Sequence, residues 1–257
     1  MTDNKLKLND DKTHLVIMTT SQKRRKNPII VKINTESEPI KPSPSEILLG
    51  SVIHEDLKWA HHIMHDKKSL IKKLTTRLNG LTKVAKYAPF KSRLMVANGI
   101  FMSKLSYCMP LWSGCEKYLK SALQIVQNKA ARLVTNSGPR TPIKTMLKQC
   151  GWLSVNQLAI YHTMVLQYKT VQTRTPEYLF NKISVDFPYK TRLASTRSIR
   201  VKGGNNFQAK NNQLTHNSYR WRATAQWNDI PASIRALTKV KSFKKELRSW
   251  IQKSIEI

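Results

Sequence analysis

The sequence is short of acid. Fifteen Asp and Glu stand against 45 Lys and Arg, leaving a formal net charge of +30 on 257 residues. That excess is far larger than solubility requires and points to a polyanionic partner, nucleic acid ahead of anionic membrane. The deficit is uneven, since from Lys67 to Arg174 a single acid, Glu116, stands among nineteen Lys and Arg. Like charges at helical spacing repel by roughly a few tenths of a kcal/mol per pair, so a solvated face ordinarily mixes its signs. A bound phosphate backbone would offset the repulsion; a basic surface without a partner is the alternative.

Cysteine is also scarce. Cys108, Cys115 and Cys150 are odd in number and lack C-x-x-C spacing, which argues against a disulfide framework and a zinc module and for reduced thiols in a core. No apolar run approaches a membrane span, and MTDNKLKLNDD lacks a signal-peptide core, so an intracellular protein, nuclear or cytoplasmic, is expected. Asp10-Asp11 is a candidate for the paired carboxylates of a two-metal site. Between Asn9 and Lys12 it sits in a turn-like context, and a solvated turn is the better reading.

What is present is mostly helix. With 40% apolar residues a core can form. Alternation at Lys5 to Leu8 and the run His14 to Met18 predict strands, and the prolines at 39, 42 and 44 an exposed loop. Lys23 to Lys26 is a nuclear-targeting or phosphate-contacting cluster, or a solvated hairpin tip. Ile47 to Ile53 predicts one short buried strand carrying Gly50.

Helical spacing follows at Trp59, Ile63, Leu70, Leu74, Leu78 and Leu81, with Lys67, Lys68, Lys72, Lys73 and Arg77 mostly on the other side. A second helix is marked by Leu94, Ala97, Phe101 and Leu105. The third, LKSALQIVQNKAARLV, places Leu119, Leu123, Val126, Ala130 and Leu133 on one stripe and Lys120, Gln127, Lys129 and Arg132 opposite. It is the helix around which the fold is expected to be organised, and Asn136-Ser137-Gly138 stops it. Thr141-Pro142 opens a fourth helix that Gly151 ends, and Ser154 to Gln157 is a capping box for a fifth, with Leu158, Tyr161, Val165 and Tyr168 inward. Thr175-Pro176-Glu177 starts another short one. Residues 186–217, with Arg197 and Arg200, predict a basic loop, and Trp221, Trp227 and Trp250 anchor two or three closing helices.

Seven stretches, in this order, are similar to the C-terminal part of reverse transcriptases from non-LTR retrotransposons of the jockey and CR1-like kind. They are LKLNDDKTHLVIM (6–18), ILLGSVIHEDLKWAHHI (47–63), LSYCMPLW (105–112), LQIVQNKAARLV (123–134), TPIKTMLKQCGWLSV (141–155), TPEYL (175–179) and WNDIP (227–231). The resemblance implies a mainly α fold. A small β remnant of a polymerase palm with a Pro-rich loop would fill 1–55, a three-helix thumb-like bundle 56–137, and a second helical region 138–257. It places Lys12 near the incoming nucleotide's phosphates and Leu49-Gly50 at a primer grip. Nucleic-acid contacts are expected from Lys67, Lys68, Lys72, Lys73, Arg77, Lys120, Lys129, Arg132, Arg197 and Arg200, with RNA, DNA or their hybrid as partner.

The family's polymerase needs an aromatic-Ala-Asp-Asp hairpin and a further aspartate, both upstream of LNDDKT. Neither is among these residues, so the resemblance implies a reverse-transcriptase fragment inactive on its own, without cofactor, Mg2+ belonging to the full-length enzyme. A self-standing basic binding or architectural protein derived from such an element is the alternative.

Overall fold

A computed structural model describes residues 12–18, 40–186, 198–201 and 218–255. The protein is mainly helical, with two small two-stranded sheets among the described residues, and divides into two compact units, Met1–Lys73 and Leu74–Ile257.

In the first unit the run Ile47 to Ile53 is a hairpin, not one buried strand. Strand β1 (Ser45–Leu48) pairs antiparallel with β2 (Ser51–His54), Ser45 opposite His54 and Leu48 opposite Ser51. Leu49 and Gly50 both take positive φ, 47° and 80°, the condition for a two-residue turn that matches strand twist. Only Ser51 and Val52 are buried, while Leu48 and Leu49 are 60% and 81% exposed. The strand expected at His14–Met18 reduces to one parallel bridge, Leu15 to Pro42. Pro42 has no N–H with which to extend a ladder.

The long helix expected from Trp59 is broken. A π-helical turn spans His61–His65, and Asp66 leaves it in extended conformation. The Asp66 carboxylate accepts from the Lys68 backbone N–H at 2.6 Å, a local bond that competes with helix continuation. Helix α1 then runs Leu70–Ala85.

The second unit is built on α2 (Phe90–Ala97), a π-turn (Asn98–Met102), α3 (Ser103–Ser106), α4 (Met109–Trp112), α5 (Lys117–Thr135), α6 (Ile143–Cys150) and α7 (Val155–Thr173). It closes with α8 (Glu177–Phe180), β3 (Ile183–Asp186), β4 (Ser198–Val201), α9 (Tyr219–Asp229), α10 (Ala232–Arg235) and α11 (Val240–Ser254). Helix α5 stops at Asn136 and α6 at Gly151, both left-handed with φ 53° and 64°, the backbone state that ends a helix most readily at Asn or Gly. The Ser154 capping box forms in full: Ser154 Oγ accepts from Gln157 N–H and Gln157 Oε1 from Ser154 N–H.

The centre of this unit is α7, not α5. It packs against α3, α4, α5, α8, α9 and α11. Accordingly Val155, Leu158, Ala159, Thr163, Met164, Gln167 and Tyr168 are buried around much of its circumference, while Tyr161 and Val165 are only half-buried. A helix surrounded on this scale carries no single apolar stripe, which is why its central position escapes periodicity. Tyr168 stacks on Phe243 of α11 at 4.0 Å between centroids, and its hydroxyl donates to the Leu237 carbonyl. Trp227 is fully buried, whereas Trp221 and Trp250 are half-buried.

Part of the expected basic loop is sheet. β3 and β4 pair antiparallel with Arg200 opposite Ser184, and β4 lies against α9. No described helix is long and apolar enough to cross a membrane.

Candidate nucleic-acid interface

Helix α5 is wrapped on two flanks. Its stripe Leu119, Leu123, Val126, Ala130 is buried as expected, but the last member is Val134, with Leu133 half-buried. The second flank is Lys120, Gln127, Ala131 and Val134, spaced seven, four and three. Gln127 is therefore fully buried and not on the cationic face. Its Nε2 donates to the Leu153 carbonyl at 2.9 Å, its Oε1 accepts from Gln124 Nε2 at 2.9 Å, and Gln124 Oε1 in turn accepts from Val155 N–H at 2.8 Å. Asn128 Oδ1 takes the other Gln124 proton at 2.8 Å. These amides dock α5 onto the segment that starts α7.

That docking shapes a cleft of about 630 Å3 between the first two turns of α5 and the start of α7. Lys117, Lys120, Ser121 and Gln124 line one side, Ser154, Val155 and Asn156 the other, and Cys115 lies at its edge. Lys120 is half-buried, and burial lowers its pKa; Arg222 nearby pushes it further down while the Cys115 thiol acts the other way. Burial likewise lowers Arg222 and pushes the Cys115 thiol up to about 11. The Arg222 guanidinium donates to Ser113 Oγ at 2.8 Å and to the Pro110 carbonyl at 3.1 Å. Lys117 and the half-buried Lys120 line a cleft shared with the start of the 19-residue helix α7, whose positive end favours an anion.

The other expected contacts fall into different positions. Lys12 is exposed in a helical turn of the first unit, and Lys67 and Lys68 are exposed in the turn before α1. Lys72 is exposed and Lys73 half-buried on α1. Leu49 and Gly50 form the hairpin tip. Lys129 is exposed on α5.

Two of the expected arginines bond backbone carbonyls. Arg77 donates to the Ile100 carbonyl, inside the π-turn where wide helical winding leaves backbone acceptors poorly served. Arg132 donates to the Pro139 carbonyl at 3.4 Å, bracing the chain after α5. Arg200 lies on β4; Arg197, the Asp10-Asp11 pair and Lys23 to Lys26 lie outside the described residues.

The exposed face of α5 is not purely cationic either. Tyr118 and Ile125, both more than half exposed, stand with Ser121 and Lys129 on one stripe. Lys117, Ser121 and Gln124 are not singled out by the sequence. For Lys117 and Ser121 the signal is their place in the first turns of a basic helix; Gln124 carries none that could be separated from an ordinary polar residue.

No protein-family model, no curated protein and no solved structure matches the chain.

Proposed function

We propose that this chain grips the phosphate backbone of RNA, DNA or their hybrid, as the thumb and following helices of a non-LTR retrotransposon reverse transcriptase would. The observation that carries the reading is the cleft at the start of α5 and α7. There Lys117 and the half-buried Lys120 meet without a carboxylate among the cleft's lining residues. Exposed Lys67, Lys68 and Lys72 supply cations in the first unit, and the 67–174 interval keeps its single acid. Tyr118 beside the cleft offers a ring on which a base can stack whatever its sequence. Contacts of this kind are to phosphate and sugar and carry little base readout.

Titrating the purified chain with fluorescent duplex, single-strand and hybrid oligonucleotides over a range of salt tests this. With about five to eight phosphates neutralised, the log–log slope on duplex DNA is about −4 to −7, from −0.9 per contact. Replacing Lys117 and Lys120 by Gln should make it shallower by up to about two units, whereas Arg77→Gln should act through stability. A salt-independent complex, or an unchanged slope in the double variant, refutes the phosphate grip. Primer extension by the 257-residue chain alone should show no nucleotide addition, because its sequence holds no aromatic-Ala-Asp-Asp segment.

A further inference from the structure

Four of the chain's seven histidines, His54, His61, His62 and His65, fall within one stretch of twelve residues, together with Glu55 and Asp56 and just before Asp66. With Asp66 included, this stretch holds three acids and one lysine in a protein that is basic as a whole. His62 already serves the fold, its Nδ1 accepting from the Val52 N–H at 3.1 Å. The other three histidines are half-buried or exposed.

A tight turn brings the donors together. Asp56 N–H donates to His54 Nδ1 at 3.2 Å, Leu57 N–H to the His54 carbonyl at 2.8 Å, and Leu57 takes φ 55°. The chain thus doubles back, and the His61 ring lies face to face with His54 at 3.6 Å and 3° between planes. One ligand atom from each of His54, Asp56 and His61 lies within 4.8 Å of the other two, with His54 Nδ1 and Asp56 Oδ2 3.6 Å apart. His65, one π-turn later, has its ring 5.7 Å from that of His61. All belong to the first unit.

We propose that His54, Asp56 and His61, with His65 as fourth donor, bind one divalent transition-metal ion, zinc by donor preference. Two imidazoles and a carboxylate suit Zn2+ and its neighbours, whereas Mg2+ and Ca2+ prefer all-oxygen shells. Tetrahedral coordination at about 2.0–2.1 Å sets ligand atoms about 3.3 Å apart, close to the present separation of His54 Nδ1 and Asp56 Oδ2, and ligation through Nδ1 exchanges the Asp56 N–H bond for the ion. The stacked rings point their lone pairs side by side, so binding turns the His61 ring out of the stack toward the ion. His61 is half-buried rather than enclosed. The bound ion clips β2 to the π-turn and so fixes the hairpin that presents Leu49-Gly50.

The test uses the full chain without a polyhistidine tag, freed of nucleic acid and metal, and titrated calorimetrically with ZnCl2 in excess Mg2+. One equivalent should bind, with a rise in the thermal midpoint and, on Co2+ substitution, visible d–d absorption of a low-symmetry site. His54→Gln and His61→Gln should each weaken zinc by at least about tenfold, with far-ultraviolet circular dichroism unchanged. His14→Gln and His162→Gln, distant in sequence, should leave it as it is. Absence of a stoichiometric zinc isotherm, or full retention of affinity in both the His54 and His61 variants, overturns the site.

Discussion

Replacing Gln127 by Met tests whether α5 is organised by its amides as well as its apolar stripe. Methionine matches the length and approximate volume of the side chain but can neither donate to the Leu153 carbonyl nor accept from Gln124 Nε2. An orphaned buried polar group costs about 1–3 kcal/mol. Gln124 lines the cleft, where water can take the freed proton, so the Leu153 carbonyl dominates and the loss is about 2 kcal/mol. For a unit of this size that is a fall of about 4–8 °C in the thermal midpoint, read by circular dichroism alongside a urea titration whose slope should not change. Lys129→Met on the exposed side of the same helix should stay within about 0.5 kcal/mol. If Gln127→Met cost no more than Lys129→Met, the buried amide docking would be wrong and the residue would belong on the solvent face where periodicity alone puts it.

Leu123→Ala, on a fully buried position of the same helix, should cost about 2–5 kcal/mol in urea unfolding; a loss under about 1 kcal/mol would deny that α5 packs inward along this stripe. His162 on α7 has its pKa lowered from the ordinary 6.5, first by burial and then by Lys244. The folded state therefore disfavours the proton, and this residue's contribution is complete above pH 6.5 and is lost as pH falls toward the lowered folded value. His162→Gln should flatten the decline of stability between about pH 7 and pH 5; an unchanged acid limb would refute a neutral buried imidazole.

What the sequence discloses is what local chemistry decides. Ser154 and Gln157 satisfy each other across three residues, and Asn136 and Gly151 end helices by their own backbone freedom, so all three were legible without knowing any neighbour. The hairpin was hidden because its turn places Leu49, a residue that rarely takes positive φ, beside Gly50. The break at Asp66 was hidden because apolar spacing continues across it from Ile63 to Leu70.

Charged and amide residues on the helices were harder, because their roles depend on what arrives from elsewhere in the chain. Periodicity assigns a helix one inner and one outer face, whereas α5 has two inner flanks because α2, α6 and α7 all pack against it. That cover turns Gln127 into a buried connector and Lys120 into a half-buried cation, while the same spacing leaves Lys129 in solvent. Arg77 is drawn inward by a carbonyl in a π-turn that no pattern of apolar residues announces. A count of bases thus says little about where each one sits, and it hides the more informative ones. A half-buried cation such as Lys120 is held against its own solvation, whereas a solvated lysine is not. Function in a protein this basic is therefore better sought where cations are held against their own solvation than where they are simply numerous.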